Sequence, residues 1–296
     1  MTCVAAIEMG GTKVSLTVGT GPGDCIPPIV FPTTTPDETL KTILVQLSAL
    51  RAVRPFDRVG VASFGPLGVD PTRSDWGRIG STPKPGWSGA DVAGVLGRLN
   101  LPIVIETDVN AAAMGERRWG AGIGLDSLAY VTVGTGVGVG LVIDGRPVHG
   151  LAHPEAGHLR VRRLPGDDFP GRCPWHADCL EGMICGPALA ERRGVAGQML
   201  VDNDPVFDLA GSYLGQALAG VVLVASPQMI VVGGGVGARA AVLAAALSSL
   251  RVELNGYVAD LPREGDYVVR PGLGDYSGLF GAMTLARQMD RLQSFA

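Results

Sequence analysis

The chain has 296 residues, of which 46% are hydrophobic and 18% are charged, and its formal net charge is -4. This composition describes a globular protein that is large enough for two packed lobes, and it excludes a disordered or fibrous chain. The acidic balance provides no basic surface for nucleic acid, so we expect no nucleic-acid partner.

Cysteine usage and the apolar segments indicate the cellular compartment. The chain contains five cysteines, an odd number, so we expect no disulfide framework and a reducing environment. The N-terminus enters an apolar strand without a charged leader and cleavable segment. The longest apolar run, residues 217–225, is shorter than the roughly 18 residues that a membrane span requires. We therefore expect a cytoplasmic protein with no membrane partner.

The first predicted element is a strand over residues 4–7, followed by a glycine turn and a second strand. The turn reads Glu8-Met9-Gly10-Gly11-Thr12-Lys13. This order predicts a hairpin, whereas a dinucleotide fold or a P-loop continues from its glycines into a helix. Backbone N–H groups in such a turn can bind phosphate oxygens, because glycine lets the main chain approach an anion closely. A plain hairpin turn is the alternative.

An acid that follows a buried strand is the first candidate for chemistry. Residues 37–50 have helical spacing, with Asp37 as the predicted cap, and strands are predicted over residues 59–62 and 103–106. An alanine-rich helix follows the second of these strands. Asp108 thus lies at the carboxyl end of a strand, where α/β sheets place ligand-facing groups. These residues alone leave two roles open for Asp108, a catalytic acid or base and a helix N-cap.

The strand, glycine turn, strand unit occurs again about 125 residues later, which indicates a duplicated two-lobe architecture. A strand over residues 128–133 precedes Gly134, Thr135 and Gly136, and an apolar strand follows. A third glycine turn follows residues 229–232 and leads into a helix whose N-terminus could hold a nucleotide. Helices are also predicted over residues 207–225 and 277–291. We place the lobes at residues 1–118 and 119–296, with the last helix packing back on the first lobe.

Residues 150–187 contain a set of four metal-ligand side chains, which are His158, Cys173, His176 and Cys179. Their spacing suits tetrahedral zinc, and four protein ligands leave no open position, which is the pattern of a structural site. Fixing this loop would also orient two neighbouring acids, Glu155 and Glu181, toward a substrate. Small buried thiols and ordinary histidines are the alternative. We interpret the remaining residues of these types as packed or surface residues: Cys3, Cys25, Cys185, His149 and His153.

Together, these motifs resemble the ROK family of sugar kinases, repressors and open reading frames, and most closely its fructokinase branch. The resemblance extends over essentially the whole chain. It rests on the Gly10 to Lys13 turn, the turn centred on Thr135, the Asp108-Val109-Asn110 sequence and the His/Cys loop. It implies an actin-like ATPase, or ribonuclease H-like, duplicated two-lobe α/β fold with a cleft between the lobes. ATP, Mg²⁺ and structural Zn²⁺ are the implied cofactors, and a homodimer is the implied assembly.

The resemblance also implies roles for individual residues. Asp108 would be the catalytic base, and the zinc ligands would be the four named above. The sugar would be bound by Glu155, His158, Glu181, Thr107 and Asn110. The nucleotide would be bound by the three glycine turns and one proline, that is by Gly10, Gly11, Thr12, Lys13, Gly134, Thr135, Gly136, Pro187, Gly233, Gly234, Gly235 and Gly237. We further expect removal of the metal to weaken sugar binding far more than ATP binding.

Three positions distinguish this chain within the family pattern. Glu8 stands where most members have Asp, Thr107 where glucose-type kinases usually have Asn, and His176 where many members have a third Cys. The fructokinase branch shares these residues, so we expect phosphorylation of fructose at its 6-hydroxyl, with mannose second.

Three other functions are weighed against this one. A glucokinase or another ROK hexose or amino-sugar kinase is the main alternative. A ROK-type sugar-responsive regulator is less favoured, since only seven residues precede Glu8 and a repressor needs a DNA-reading helix-turn-helix there. A catalytically silent sugar-binding protein would be expected to lack the base or the phosphate turns, and both are present.

Overall fold

The computed structural model describes residues 3–262 and 265–293, and the chain divides into two compact units. The first unit comprises the chain up to Ile123, the segment Pro147–His153 and the chain from Tyr276 onward; the second comprises Gly124–Arg146 and Pro154–Asp275. This division differs from the sequence-based boundary near residue 118, because the segment Pro147–His153 bonds to residues of the first unit. The His153 ring nitrogen Nε2 accepts a hydrogen bond from the Leu67 N–H at 3.2 Å.

The described residues contain both strands and helices, which places the chain in the mixed α/β class. The strands are β1 (Val4–Met9), β2 (Lys13–Gly21), β3 (Asp24–Cys25), β4 (Ile29–Pro32), β5 (Val59–Ser63), β6 (Ile103–Thr107), β7 (Leu128–Val133), β8 (Val137–Ile143), β9 (Arg146–Pro147), β10 (Ile230–Gly233) and β11 (Val268–Val269). The α-helices are α1 (Pro36–Val53), α2 (Val92–Leu96), α3 (Asp108–Trp119), α4 (Leu180–Ile184), α5 (Gly186–Arg193), α6 (Val206–Ala225), α7 (Ala240–Leu254) and α8 (Ser277–Gln293). Short 3₁₀ helices cover Gly97–Leu99, Ala156–His158, Gly197–Met199 and Gly274–Tyr276.

The sheet of the first unit runs in the order β3-β2-β1-β5-β6, and β4 pairs with β2. Strands β1 and β2 form the predicted antiparallel hairpin, whereas β1, β5 and β6 are parallel. Met9 pairs with Ser63, and Ser63 pairs with Thr107, so the three parallel strands end at one edge of the sheet. The glycine turn after β1 and the acid after β6 therefore lie at the same edge.

The second sheet repeats this pattern in the order β11-β10-β7-β8-β9. Strands β7 and β8 form an antiparallel hairpin like that of β1 and β2, and β7, β10 and β11 are parallel like β1, β5 and β6. The duplication that the two glycine turns predict is thus present in the strand order. Each unit has its own hydrophobic core, built around one of the two sheets.

Two helix details differ from the sequence-based predictions. Helix α1 is capped by Thr35, whose side chain accepts a hydrogen bond from the Glu38 N–H, and Asp37 lies in its first turn. The helix begins earlier than predicted because Pro36 has a fixed φ that suits the first helical position. Helix α6 has the length and composition of a membrane span over its 20 residues, yet 67% of its most apolar window is buried inside the protein. It is the central helix of the second core.

The C-terminal helix α8 packs within the first unit, against α3 and the sheet. Gly115 of α3 and Gly281 of α8 bring the two helix backbones together, since a Cβ at Gly281 would overlap the Ala111 carbonyl oxygen. A Cβ at Gly60 of β5 would likewise overlap the Ala282 carbonyl. Helix α8 thus packs closely against both α3 and strand β5 of the first sheet.

Candidate active site and metal centre

The first glycine turn is fixed by hydrogen bonds at Gly10 and is exposed to solvent at Gly11. The Gly10 N–H donates to the Lys13 carbonyl at 2.9 Å, which closes the turn, and the Thr33 hydroxyl donates to the Gly10 carbonyl at 2.7 Å. Gly11 is exposed, and a Cβ added there would meet no atom within 4 Å. Gly11 is therefore a solvent-exposed position of the turn with free space where a side chain would otherwise lie.

A lysine from a distant loop contacts the same turn. Lys84 Nζ donates to the Gly11 carbonyl at 2.5 Å and lies 3.4 Å from the Thr33 carbonyl. Its loop is fixed by Trp87, which is fully buried and whose indole N–H donates to the Thr34 carbonyl at 2.8 Å. Sequence reasoning assigns no role to Lys84. The contact places a positive charge beside the turn.

Asp108 is the first residue of α3, and Thr107 is its N-cap. Thr107 Oγ1 accepts a hydrogen bond from the Asn110 N–H at 3.3 Å, while Asp108 Oδ1 accepts one from the Val109 N–H at 2.9 Å. The cap role that the sequence left open for Asp108 thus belongs to Thr107. Strands β1 and β6 are separated by β5, so Asp108 and the turn after β1 lie about 10 Å apart along the sheet edge.

Beneath Asp108 lies a buried polar network that sequence reasoning missed. Glu106 is 3% exposed. Its Oε1 accepts hydrogen bonds from the Thr107 N–H at 2.8 Å and the Asn110 side-chain amide at 3.1 Å. His149 Nε2 lies 2.7 Å from Glu106 Oε2. This hydrogen bond outweighs burial and raises the pKa of His149. A contact between residues so distant along the chain leaves no local sequence signal. The sequence pattern therefore indicates only a structural or surface role for His149.

Thr107 and Asn110 are both buried in this network. Asn110 is 1% exposed and Thr107 is 3% exposed. Their described contacts support the start of α3 and the Glu106 carboxylate. Binding of the sugar by these two residues stays a prediction.

The second unit brings its two glycine turns and Pro187 together. The Gly134 N–H donates to the Gly136 carbonyl at 2.9 Å, which closes the turn after β7. The Val133 carbonyl accepts hydrogen bonds from the N–H groups of Val236 and Gly237, at 2.9 and 3.1 Å. Gly186, which precedes Pro187 in the first turn of α5, donates to the Gly134 carbonyl at 2.7 Å. Backbone hydrogen bonds therefore connect residues 133–136 with residues 186–187 and with residues 233–237.

The four predicted metal ligands also come together in the second unit. Their ligand atoms all lie within 4.8 Å of one another, and the two cysteines are buried. The Nδ1 atom of His158 lies 3.5 Å from Cys179 Sγ and 3.6 Å from Cys173 Sγ, and Cys173 Sγ lies 3.7 Å from His176 Nδ1. Tetrahedral zinc, with bonds of about 2.3 Å to sulfur and about 2.0 Å to nitrogen, separates such ligands by about 3.6 Å. The donor set and its spacing fit that ion.

Local turns create this arrangement. Cys173 and Ala177 exchange two backbone hydrogen bonds, at 2.9 and 3.1 Å, and Ala177 has φ of 52°, so the chain reverses and carries His176 back toward Cys173. His158 ends a 3₁₀ helix, and Cys179 is the N-cap of α4. Burial raises the pKa of the Cys179 thiol to about 11, so a bound cation is what would hold the thiolate form there.

The two acids beside this cluster differ in their surroundings. Glu155 is exposed and precedes the 3₁₀ helix that ends at His158. Glu181 is half-buried, and its Oε2 accepts a hydrogen bond from the Val137 N–H at 3.0 Å. Glu181 therefore contacts the residue that follows the Gly134 to Gly136 turn. Binding of a sugar by either acid stays a prediction.

The two sheets, each with a strand, glycine turn, strand unit at the corresponding position, define an actin-like ATPase fold of the kind found in sugar kinases. The model of the ROK family matches residues 4–289, and the chain belongs to that family.

The chain is similar to fructokinases in sequence and to a glucokinase in structure. The chain is 42% identical to the fructokinase of Zymomonas mobilis over 289 residues, which cover 95% of each chain. It is 39% identical to the fructokinase of Pediococcus pentosaceus over 285 residues, which cover 96% of this chain and 97% of the relative. Among solved structures, it is similar to a ROK family glucokinase from Streptomyces griseus in complex with glucose and AMPPNP. That similarity has a TM-score of 0.77 and 27% identity, and covers 97% of this chain and 99% of the other.

Proposed function

We propose that this protein is an ATP-dependent fructokinase that converts D-fructose to fructose 6-phosphate and accepts mannose as a second substrate. The observation that carries the proposal is the similarity to fructokinases along almost the full length of the chain. The residues that the resemblance assigns to catalysis and phosphate binding are all present. A glucokinase or another hexose or amino-sugar kinase of the family is the alternative, favoured by the similarity to the Streptomyces griseus glucokinase.

In the proposed reaction, the sugar 6-hydroxyl oxygen attacks the γ-phosphorus of ATP. The bond from that phosphorus to the bridging oxygen breaks, ADP leaves, and Asp108 accepts the hydroxyl proton. Phosphoryl transfer relies on positioning and charge stabilisation, which is the role proposed for the three glycine turns. Mg²⁺, when bound with the triphosphate, would neutralise part of its charge. Glu8, whose carboxylate lies against Gly278 in the first turn of α8, is the acid proposed to hold a magnesium-bound water.

The metal cluster is proposed to bind one structural zinc. Two thiolates and two imidazoles are soft and borderline donors that suit this ion, and four ligands leave no position for a reacting water. Its contribution is to fix His158 and the neighbouring acids, Glu155 and Glu181, which are proposed to bind sugar hydroxyls. Metal analysis of the purified protein is expected to find one zinc per chain, and Cys179→Ser is expected to reduce it. Substantially less than one zinc in fully active protein would contradict this role.

We further propose a cytoplasmic homodimer that binds neither nucleic acid nor membrane. The support is the family resemblance and the net charge of -4. Light scattering on the purified protein tests the assembly, and a mass equal to one chain would contradict it.

A hexose panel tests the proposed reaction. Fructose, mannose, glucose and N-acetylmannosamine are each incubated with ATP and Mg²⁺, and ADP release is measured. We expect the highest kcat/KM with fructose and a lower value with mannose. The position of the phosphate is read by a coupled assay that reports fructose 6-phosphate. Strong turnover of glucose or N-acetylmannosamine with none of fructose would assign the protein to the alternative.

A further inference from the structure

Val137, the residue that follows the Gly134 to Gly136 turn, is held on both sides of its peptide backbone. Its N–H donates to Glu181 Oε2 at 3.0 Å. Its carbonyl oxygen lies directly against the backbone of Gly157, where an added Cβ would overlap that oxygen. Val137 also pairs with Val133 in the β7–β8 hairpin, and the Gly134 N–H donates to the Gly136 carbonyl at 2.9 Å, so the position of Val137 fixes where the turn ends.

The two groups that hold Val137 both belong to residues 154–187, which carry the four metal ligands and are called the metal loop below. One group lies next to His158 and the other lies just after Cys179. Glu181 is two residues beyond Cys179 and lies in α4, while Gly157 immediately precedes His158 in its 3₁₀ helix. A backbone hydrogen bond from Leu180 to the Leu159 carbonyl, at 2.9 Å, joins these two parts of the metal loop. Leu180 is fully buried. His158 and Cys179 are therefore each connected to Val137 through one or two residues.

The Glu181 carboxylate also explains the glycine at position 136. A Cβ at Gly136 would lie 2.7 Å from Glu181 Oε2, so any side chain there would displace the carboxylate. A carboxylate that accepts from a backbone N–H forms a charge-assisted hydrogen bond, which is stronger than a bond between neutral groups. The Glu181 carboxylate thus packs against Gly136 and accepts the hydrogen bond of the Val137 N–H, at the end of the turn.

We propose that Glu181 is a positioning residue for nucleotide binding, which fixes the Gly134 to Gly136 turn and couples it to the metal cluster. The inference rests on the proposed function, in which this turn binds ATP phosphates. It assigns Glu181 a role besides the sugar contact that the family resemblance implies. It also revises the expectation that metal removal affects sugar binding far more than ATP binding, because the nucleotide turn contacts the same loop.

Two substitutions at Glu181 test this role. Glu181→Ala removes the acceptor for the Val137 N–H, whereas Glu181→Gln keeps an acceptor oxygen without the charge. Glu253→Gln is the matched control, since Glu253 lies on α7 and forms an ion pair with the exposed side chain of Arg162. The measurements are the Kd of ADP with Mg²⁺ in the absence of sugar, the zinc content, and hydrogen–deuterium exchange of residues 134–139 without ligand.

We expect Glu181→Ala to raise the Kd of ADP about tenfold and to speed exchange at Val137, at an unchanged zinc content. For Glu181→Gln we expect a Kd of ADP within about threefold of that of the unsubstituted protein. The control variant is expected to have the same Kd of ADP as the unsubstituted protein. Cys173→Ser, which removes a metal ligand, is expected to raise the Kd of ADP in the unsubstituted protein but to add little in the Glu181→Ala background.

An unchanged Kd of ADP and unchanged exchange in Glu181→Ala, with normal ADP binding by the unsubstituted protein, would overturn the inference and leave the kinase assignment standing. Failure of the unsubstituted protein to bind ADP at all would instead sink the proposed function, and the nucleotide role of Glu181 with it.

Discussion

Asp108 and Thr107 are adjacent in the chain and have different roles at the start of α3. Thr107 accepts the hydrogen bond that caps the helix, so the Asp108 carboxylate is not needed as the cap. An aspartate at this point, where three parallel strands end, has the placement expected of a catalytic group.

The proposed base is tested by Asp108→Asn. General-base catalysis typically contributes about 10² to 10⁴ in rate, so we expect kcat to fall by at least that order. The amide keeps the shape of the side chain, and the affinities for fructose and ATP should stay within a few fold. Asp37→Asn, an exposed aspartate in the first turn of α1, is the control and should keep full activity. Near-normal turnover of Asp108→Asn in steady-state assays would require another base.

Lys84 should support the first phosphate turn. Its ammonium donates to the Gly11 carbonyl, and Lys84→Met removes both that bond and the positive charge. We expect the KM for ATP, measured at saturating fructose, to rise about tenfold, as suits the loss of a hydrogen bond to a charged group. Lys41→Met, an exposed lysine on α1, should leave KM unchanged. Equal KM values for the two variants would show that the Gly11 contact does not contribute to ATP binding.

Helices α5 and α6 hold the metal loop at Asp167, between His158 and Cys173, through a buried ion pair. Arg192 of α5 donates to both carboxylate oxygens of Asp167, at 2.7 and 3.0 Å, and Tyr213 of α6 also donates to that carboxylate. The guanidinium stacks over the Phe169 ring at 4.2 Å. Burial alone would raise the pKa of Asp167, but the Arg192 and Tyr213 hydrogen bonds outweigh it and lower the pKa from 3.8 to about 2.

Asp167→Asn should therefore destabilise the protein in a pH-dependent way. Near pH 7 we expect the free energy of unfolding to fall by about 3 kcal/mol, because the buried guanidinium loses its charged partner. A lowered folded-state pKa stabilises above the unfolded value of 3.8, and this contribution disappears as pH falls toward 2. Urea unfolding should thus show the largest difference near neutral pH. Asp24→Asn, which breaks an exposed pair with Arg54, should change little at any pH.

The contact between α3 and α8 depends on the absence of a side chain at Gly281. In Gly281→Ala the new methyl group would overlap the Ala111 carbonyl, and the helix backbones would have to separate. We expect a loss of roughly 2 kcal/mol or more in the free energy of unfolding. Gly97→Ala is the control, since a Cβ there meets no atom within 4 Å. A melting temperature equal to that of the unsubstituted protein would contradict the close packing.

Duplication gives the molecule two sheets with the same strand order, and each sheet has its own core. The metal ligands and two of the three glycine turns belong to the second unit, while Asp108 and the first turn belong to the first. Local changes around the metal are thus expected to act mainly within one core.

Chelation tests this separation. Removal of the bound metal should speed hydrogen–deuterium exchange in residues 154–187 and 134–139, because both lie on the metal loop or contact it. Strands β1, β5 and β6 should keep their protection, since their backbone hydrogen bonds lie within the first sheet. Re-addition of zinc should restore the slow exchange. Equal loss of protection in both sheets would show that the metal stabilises the whole chain.

The sequence by itself determined the features that depend on neighbouring residues. Alternating apolar residues around Gly10 and Gly134 predicted the two hairpins, because turn chemistry acts over a few residues. The donor types at His158, Cys173, His176 and Cys179 predicted a cluster, which the structure contains. The repeated strand, glycine turn, strand unit predicted the duplication, and with the family resemblance it predicted the actin-like fold.

Only the tertiary structure decided which distant residues meet. The contacts of His149 with Glu106, Lys84 with Gly11 and Glu181 with Val137 each join residues more than 40 positions apart. The packing of α8 on α3 through Gly281 joins the end of the chain to its first unit in the same way. Such pairs are set by how helices and strands pack in three dimensions. Local spacing carries no information about them, because the intervening chain can return to a residue from any direction.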